Sequence, residues 1–73
     1  MILRPHQSKM ARAGLGLGVR DIAKLAKVSP NTITRLERGE RMFPRTHKTI
    51  RRAFEEAGAV FIDEDGGGVK LRK

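Results

Sequence analysis

Hydrophobic positions along the first fifty-eight residues recur at three- and four-residue spacing, the repeat of an amphipathic helix. The sharpest stretch is Val19 to Arg38, VRDIAKLAKVSPNTITRLER, and it predicts two short helices joined by a tight turn. In the first, Val19 to Lys27, the side chains of Ile22, Ala23, Leu25 and Ala26 point inward, and Ala23 is small enough for a second helix to cross closely. Val28 is apolar and sits in the turn. Ser29 is a good N-cap, and Pro30 fills the first helical position, where a missing N–H costs nothing. The second helix runs from Pro30 to Arg38 and ends on Gly39 as its C′ residue. Ile33 and Leu36 face inward together, while Asn31, Thr34, Arg35 and Arg38 follow i, i+3, i+4, i+7 and share another face.

The flanks are read the same way. Met1 to Arg4 is a loose end, and Pro5 starts a helix that runs to about Gly14. Gly14, Gly16 and Gly18 break that helix, with Leu15 and Leu17 anchoring the break to the core. This GLGLG run has neither the preceding strand nor the spacing of a phosphate-binding loop. Glu40 to Arg45 is a loop, and Thr46 is the N-cap of a helix that continues to Ala57 and stops at Gly58. Ile50, Ala53, Phe54 and Ala57 make its apolar stripe. Beyond residue 58 the period drops to two. Val60, Phe61 and Ile62 are β-formers, Asp65-Gly66 and two further glycines make a turn, and Val69 and Leu71 alternate with Lys70 and Arg72. The pattern gives a mainly all-α domain over 1–58 with a short C-terminal β-hairpin or strand arm over 59–73.

Length and composition narrow the chemistry. Seventy-three residues make one domain close to the lower limit for folding on a core alone, and without cysteine no disulfide or thiolate metal site can help. Lack of cysteine fits a reducing compartment. No run approaches the ~18 apolar residues of a membrane span. MILRPHQSK lacks a signal peptide's apolar stretch, so the expectation is a cytoplasmic protein with no membrane partner. Charge is the strongest global feature: 16 Lys and Arg against 8 acids, net +8, with thirteen of the cations and three of the acids in residues 1–54. A basic body with a slightly acidic tail fits one face meant for a polyanion. No basic amphipathic helix carries bulky aromatics on its other side, which argues against a membrane surface.

Enzyme chemistry finds no footing. His6 and His47 are far apart, neither at ligand spacing with an acid, and both are expected to be exposed. Ser8 and Ser29 have no histidine–acid context, and Ser29 has a sufficient task as a cap. Asp63, Glu64 and Asp65 run into glycines and lack the later ligands of a calcium loop, so they are read as a turn. No cofactor, metal or small-molecule ligand is expected.

Double-stranded DNA is the polyanion these residues suit. A nine-residue helix is roughly 13 Å long, against a major groove of about 12 Å. Asn31 can pair bidentately with adenine, Arg35 with guanine O6 and N7, and the methyls of Thr32 and Thr34 can touch thymine. Arg20, Lys24, Ser29, Arg38, Arg41, Arg45 and Lys48 lie either side as phosphate clamps, with the N–H groups that open the second and fourth helices. Each of these cations taken singly is an ordinary solvated surface residue; the assembled pattern is more specific than its parts.

The segment Arg12 to Gly39 resembles the helix-turn-helix of the phage-repressor family, the xenobiotic-response-element type of bacterial regulators. The match lies in Leu15-Gly16-Leu17, Ala23, Val28-Ser29, Ile33 and Leu36-Glu37-Arg38-Gly39, and with the outer helices it covers roughly residues 4–58. The resemblance implies a lambda-repressor-like DNA-binding domain of five helices or fewer, usually dimeric on an inverted repeat. It implies base contacts from Pro30, Asn31, Thr34 and Arg35. It also implies that Arg12 pairs with Glu37, both near a phosphate. Two positions depart from the family. Val19 stands where a glutamine often opens the second helix, and Lys27 stands where glycine often takes a positive φ.

Two questions stay open at the level of sequence. Val60, Phe61 and Ile62 are apolar enough to need cover, which a second copy could supply across a strand edge. In the competing arrangement the arm folds back on its own fourth helix and that helix makes the dimer. The second question is partner class: a regulator of this fold can bind a protein instead of DNA, as antitoxins and anti-activators do. A protein-binding version would expose apolar side chains on the third helix, where this one carries Asn31, Thr34, Arg35 and Arg38.

Overall fold

Proline opens three of the four helices in the computed structural model, which describes residues 2–72. Its ring pre-sets a helical φ and its missing N–H is one that a first turn leaves unpaired anyway. Among the described residues the order is α1 (Pro5–Leu15), α2 (Val19–Ala26), α3 (Pro30–Glu37), α4 (Pro44–Ala57), β1 (Ala59–Ile62) and β2 (Gly68–Leu71). The fold is thus mainly helical with a two-stranded antiparallel sheet at its C-terminal end. Met1 and Lys73, the outermost residues of the expected loose end and arm, lie outside the described residues.

Helices α1, α2 and α3 stop by the same device. In α1 Leu17 N–H reaches Arg12 C=O, in α2 Val28 N–H reaches Ala23 C=O, and in α3 Glu40 N–H reaches Arg35 C=O. Each such end needs a left-handed residue, supplied by Gly16, Lys27 and Gly39. Lys27 is the exception in kind: a non-glycine side chain at φ 59. This is the position at which the family resemblance expected glycine, and the left-handed turn forms without it.

Core residues come from all four helices. Ala11 of α1, Ile22, Ala23 and Ala26 of α2, Ile33 and Leu36 of α3, and Ile50, Ala53 and Phe54 of α4 are buried together. At ~1.5–3 kcal/mol for each large side chain removed from water, this cluster is the main source of stability. The hairpin joins it rather than standing apart. Ala59 and Phe61 are buried in the same cluster, Phe61 meets Phe54 edge-on at 5.9 Å, and β1 pairs β2 with Val60 opposite Lys70 and Phe61 opposite Val69.

Several expectations need correcting. Leu3 is fully buried, so residues 2–4 are not a loose end; the chain there runs beside Leu36, Met42 and His47. Helix α4 begins at Pro44 with Phe43 as N-cap, two residues before the expected Thr46, because Thr46 N–H is already bonded to Phe43 C=O at 2.9 Å. Leu25 is 55% exposed, at the edge of the α2 stripe facing Arg45, Lys48 and Arg52 of α4. Ala57 is exposed too; His47, Ile50 and Phe54 form the buried row of α4. His47 is 7% exposed, not a surface residue, and burial pushes its imidazole below the ordinary 6.5.

The hairpin is tied down by polar contacts that a hydrophobicity pattern does not register. Gln7, wholly buried in α1, accepts from Arg4 N–H through Oε1 and donates through Nε2 to Ile62 and Gly68 carbonyls at 3.1 and 3.3 Å. Arg51 of α4 donates to both carboxylate oxygens of Asp63 at 3.3 Å and lies over the Phe61 ring. Gly67 closes the hairpin at φ 92, where a Cβ would stand 2.5 Å from Arg4 Nη1.

Candidate nucleic-acid interface

Helix α3 divides cleanly into two faces. Ile33 and Leu36 are buried, and Asn31, Thr34, Arg35 and Arg38 are exposed along the other side. The start of the helix is held by Ser29, whose Oγ accepts from Thr32 N–H at 3.2 Å and lies 3.0 Å from Thr32 Oγ1. Thr32 is half-buried and its hydroxyl is engaged by Ser29. Thr34 Oγ1 donates back to Pro30 C=O at 3.3 Å. Asn31 and Pro30 are exposed at the first turn.

Two grooves flank this face. On one side Arg20 and Lys24 of α2 line a groove with Val28 and Pro30, which brings two of the expected phosphate clamps beside the start of α3. On the other, Arg41 and Phe43 of the α3–α4 loop and Pro44 of α4 line a groove with Thr32 and Arg35. Arg45 and Lys48 lie in a third groove, between α2 and α4, together with Lys27 and Arg52. The first two grooves gather Arg20, Lys24 and Arg41 around the reading face; Arg45 and Lys48 gather with each other on α4.

Arg12 does a different kind of work. Its Nε and Nη2 donate to the two carboxylate oxygens of Glu37 at 2.8 Å each, and Ser8 Oγ donates to Glu37 Oε2 at 2.6 Å. Burial pushes the Glu37 carboxyl up, but the hydrogen bonds from Arg12 and Ser8 outweigh it and hold the group below the usual carboxylate range. The same bond raises the Arg12 pKa further. This fork fixes the angle between α1 and α3, and it is the pairing that the family resemblance implied. Ser8, the third member, carried no signal in the sequence because its partner lies 29 residues away.

Two residues missed from sequence stand at this surface. Phe43 is 68% exposed, with the Arg45 guanidinium 5.4 Å above its ring. Its position directly before Pro44 marks it as a helix-start residue, which explains its place but not its exposure. Glu40 accepts from Arg35 Nε at 2.8 Å and from Arg38 Nε and Nη2. Those bonds hold its carboxyl below the usual range.

No group of His, Asp and Glu among the described residues is placed to hold a metal. No helix among them is long and apolar enough to cross a membrane. Of the three arm residues expected at a dimer contact, Val60 and Ile62 face outward, each 40% exposed, while Phe61 faces the core. The alternation follows from the strand period of two.

Two helices joined by a three-residue turn, one packed inward and the other presenting a polar cationic face, define the class as helix-turn-helix. Residues 7–55 match the family described as helix-turn-helix domain, and the chain belongs to that family. The match takes in α1 from Gln7 to Glu55 of α4 and stops short of the hairpin. Such domains are a DNA-binding, non-enzymatic kind of fold. A search of curated proteins returns no match.

Proposed function

We propose that this chain is a sequence-specific DNA-binding transcriptional regulator of the phage-repressor type, a cytoplasmic repressor or dual regulator that lays α3 in the major groove. The observation that carries the reading is the exposed row Asn31, Thr34 and Arg35 with cations in the grooves on both sides. Asn31 reads adenine, Arg35 reads guanine, and Pro30, Thr32 and Thr34 supply apolar contact to the same step. Arg20, Lys24, Ser29, Arg41, Arg45 and Lys48 bind phosphates, with Arg12 near one through its bond to Glu37, while the Arg38 fork is engaged by Glu40. A protein-docking face on α3 would carry a run of exposed apolar side chains, and this one carries none from Asn31 to Glu37.

A single module offers only ~600–1,000 Å² to DNA, so two copies on an inverted repeat about 34 Å apart supply the rest of the affinity. Val60 and Ile62 are the outward residues of the arm and the first candidates for that pairing. Replacing both by aspartate should leave a monomer by sedimentation; a variant that still dimerises puts the contact on α4 instead.

The experiment for the reading as a whole is selection of duplexes by the purified protein, followed by binding against salt. With about five phosphates neutralised per protomer, log K against log salt falls with a slope near −4.5 per protomer. Arg35→Ala costs ~1–3 kcal/mol and relaxes one base position, whereas Lys48→Ala weakens all sequences alike. A slope near zero overturns the reading.

A further inference from the structure

The carboxylate of Glu40 stands where an acid is locally unfavourable. It follows the C-terminal end of α3, where the helix dipole is negative and a cation is the stabilising choice. The chain puts it there deliberately in backbone terms. Gly39 takes φ 84, its N–H bonds Leu36 C=O, and Glu40 N–H bonds Arg35 C=O at 3.1 Å. That turn folds the Glu40 side chain back along the last turn of α3, onto Arg35 and Arg38 together.

The two arginines are held differently. Arg38 gives Glu40 Oε2 both its Nε and its Nη2, so one edge of its fork is used up. Arg35 gives Oε1 only its Nε. Among the described residues the two Nη groups of Arg35 make no hydrogen bond, and that terminal pair is the fork that fits guanine O6 and N7. A long side chain otherwise free to rotate is thereby fixed at its stem while its tip stays available.

Resting on the reading of α3 as the groove-inserted helix, we infer that Glu40 is a specificity-positioning residue: it aims Arg35 at a base and keeps Arg38 from a phosphate. Glu40 touches no base itself. It lowers the entropy lost when Arg35 docks and subtracts one cation from sequence-independent binding, so it trades affinity for discrimination.

The two actions predict opposite changes in one variant, which simple removal of a surface charge does not. Glu40→Gln is measured beside wild type, Arg35→Ala and the double variant, by anisotropy on the selected duplex, its single-base variants and an unrelated duplex. In Glu40→Gln, discrimination at the base read by Arg35 falls about tenfold. Affinity for the unrelated duplex rises, and the salt slope steepens by about 0.9 as Arg38 gains a phosphate. In the Arg35→Ala background the same substitution leaves discrimination unchanged while still raising non-specific affinity. Wild-type binding with undiminished discrimination in Glu40→Gln, or an equal loss in both backgrounds, overturns the role of Glu40 and leaves the DNA-binding reading standing. A wild-type protein that binds no duplex overturns both.

Discussion

Glu37 and Glu40 lie three residues apart on the same helix end, both accept bonds from arginine at 2.8 Å, and they do different work. The Glu37 side chain is 8% exposed and its partners come from another helix, so the bond holds α1 against α3. The Glu40 side chain is 38% exposed and its partners are its own neighbours, so the bond holds nothing but side chains. Environment, not bond length, decides the consequence. An ion pair closed off from water is costly to break because the surviving charge stays desolvated, and one in water is worth little to folding.

The largest expected effect tests the interior half. Glu37→Ala leaves Arg12, its side chain 23% exposed, with only the Leu17 carbonyl among the described residues and unpairs the Ser8 hydroxyl, and should cost about 2 kcal/mol in urea unfolding. A loss under 1 kcal/mol would place Glu37 with the surface pairs. Acid should expose the same pair. The folded-state pKa of Glu37 lies below its ordinary 4.5, so its contribution is complete above that value and is lost as pH falls through the folded pKa.

His47 sharpens the interior half further, because its buried Nδ1 has no hydrogen-bond partner among the described residues. Burial lowers its folded pKa below 6.5, so below pH 6.5 the unfolded chain binds the extra proton and stability declines. His47→Gln should remove the part of the decline between pH 6.5 and the onset of carboxylate titration. An unchanged slope of urea midpoint against pH would contradict it.

Smaller effects belong to the surface. Lys27 holds a left-handed conformation that costs a side-chain-bearing residue roughly 1–2 kcal/mol, offset partly by the extra freedom of an unfolded glycine. Lys27→Gly should therefore stabilise by about 0.5 kcal/mol, and a melt showing no gain, or a loss, would refute strain at that turn. Glu40→Gln should leave the thermal midpoint where it is; a large drop would mean that the outer pair resembles the inner one after all.

Much of this was legible in the chain. Ser29-Pro30 and Gly39 set both ends of α3, and the spacing of Ile33 and Leu36 named its buried face. The β period at Val60–Ile62 and the glycines after Asp65 gave the hairpin. What local pattern could not give is contact across long separation. Gln7 reaches Ile62 and Gly68, Ser8 reaches Glu37, and Leu3 enters the core beside α4, each over tens of residues. His47 lies inside although polarity alone gives an exposed residue, because it shares the inward face of α4 with Ile50 and Phe54. On the candidate interface the cations were legible as types, while their division among three grooves, and the restraint Glu40 puts on two of them, needed the backbone turn at Gly39.

The central claim is that α3 enters the groove by its Asn31–Arg35 face. It is tested most directly by amide chemical shifts of the labelled protein titrated with its selected duplex. The largest changes should fall at Asn31, Thr34 and Arg35, with smaller ones at Arg20, Lys24 and Arg41 and none at Val60 and Ile62 beyond those of dimer formation. Changes centred on α1 or the hairpin, with Asn31 and Arg35 unmoved, would contradict it.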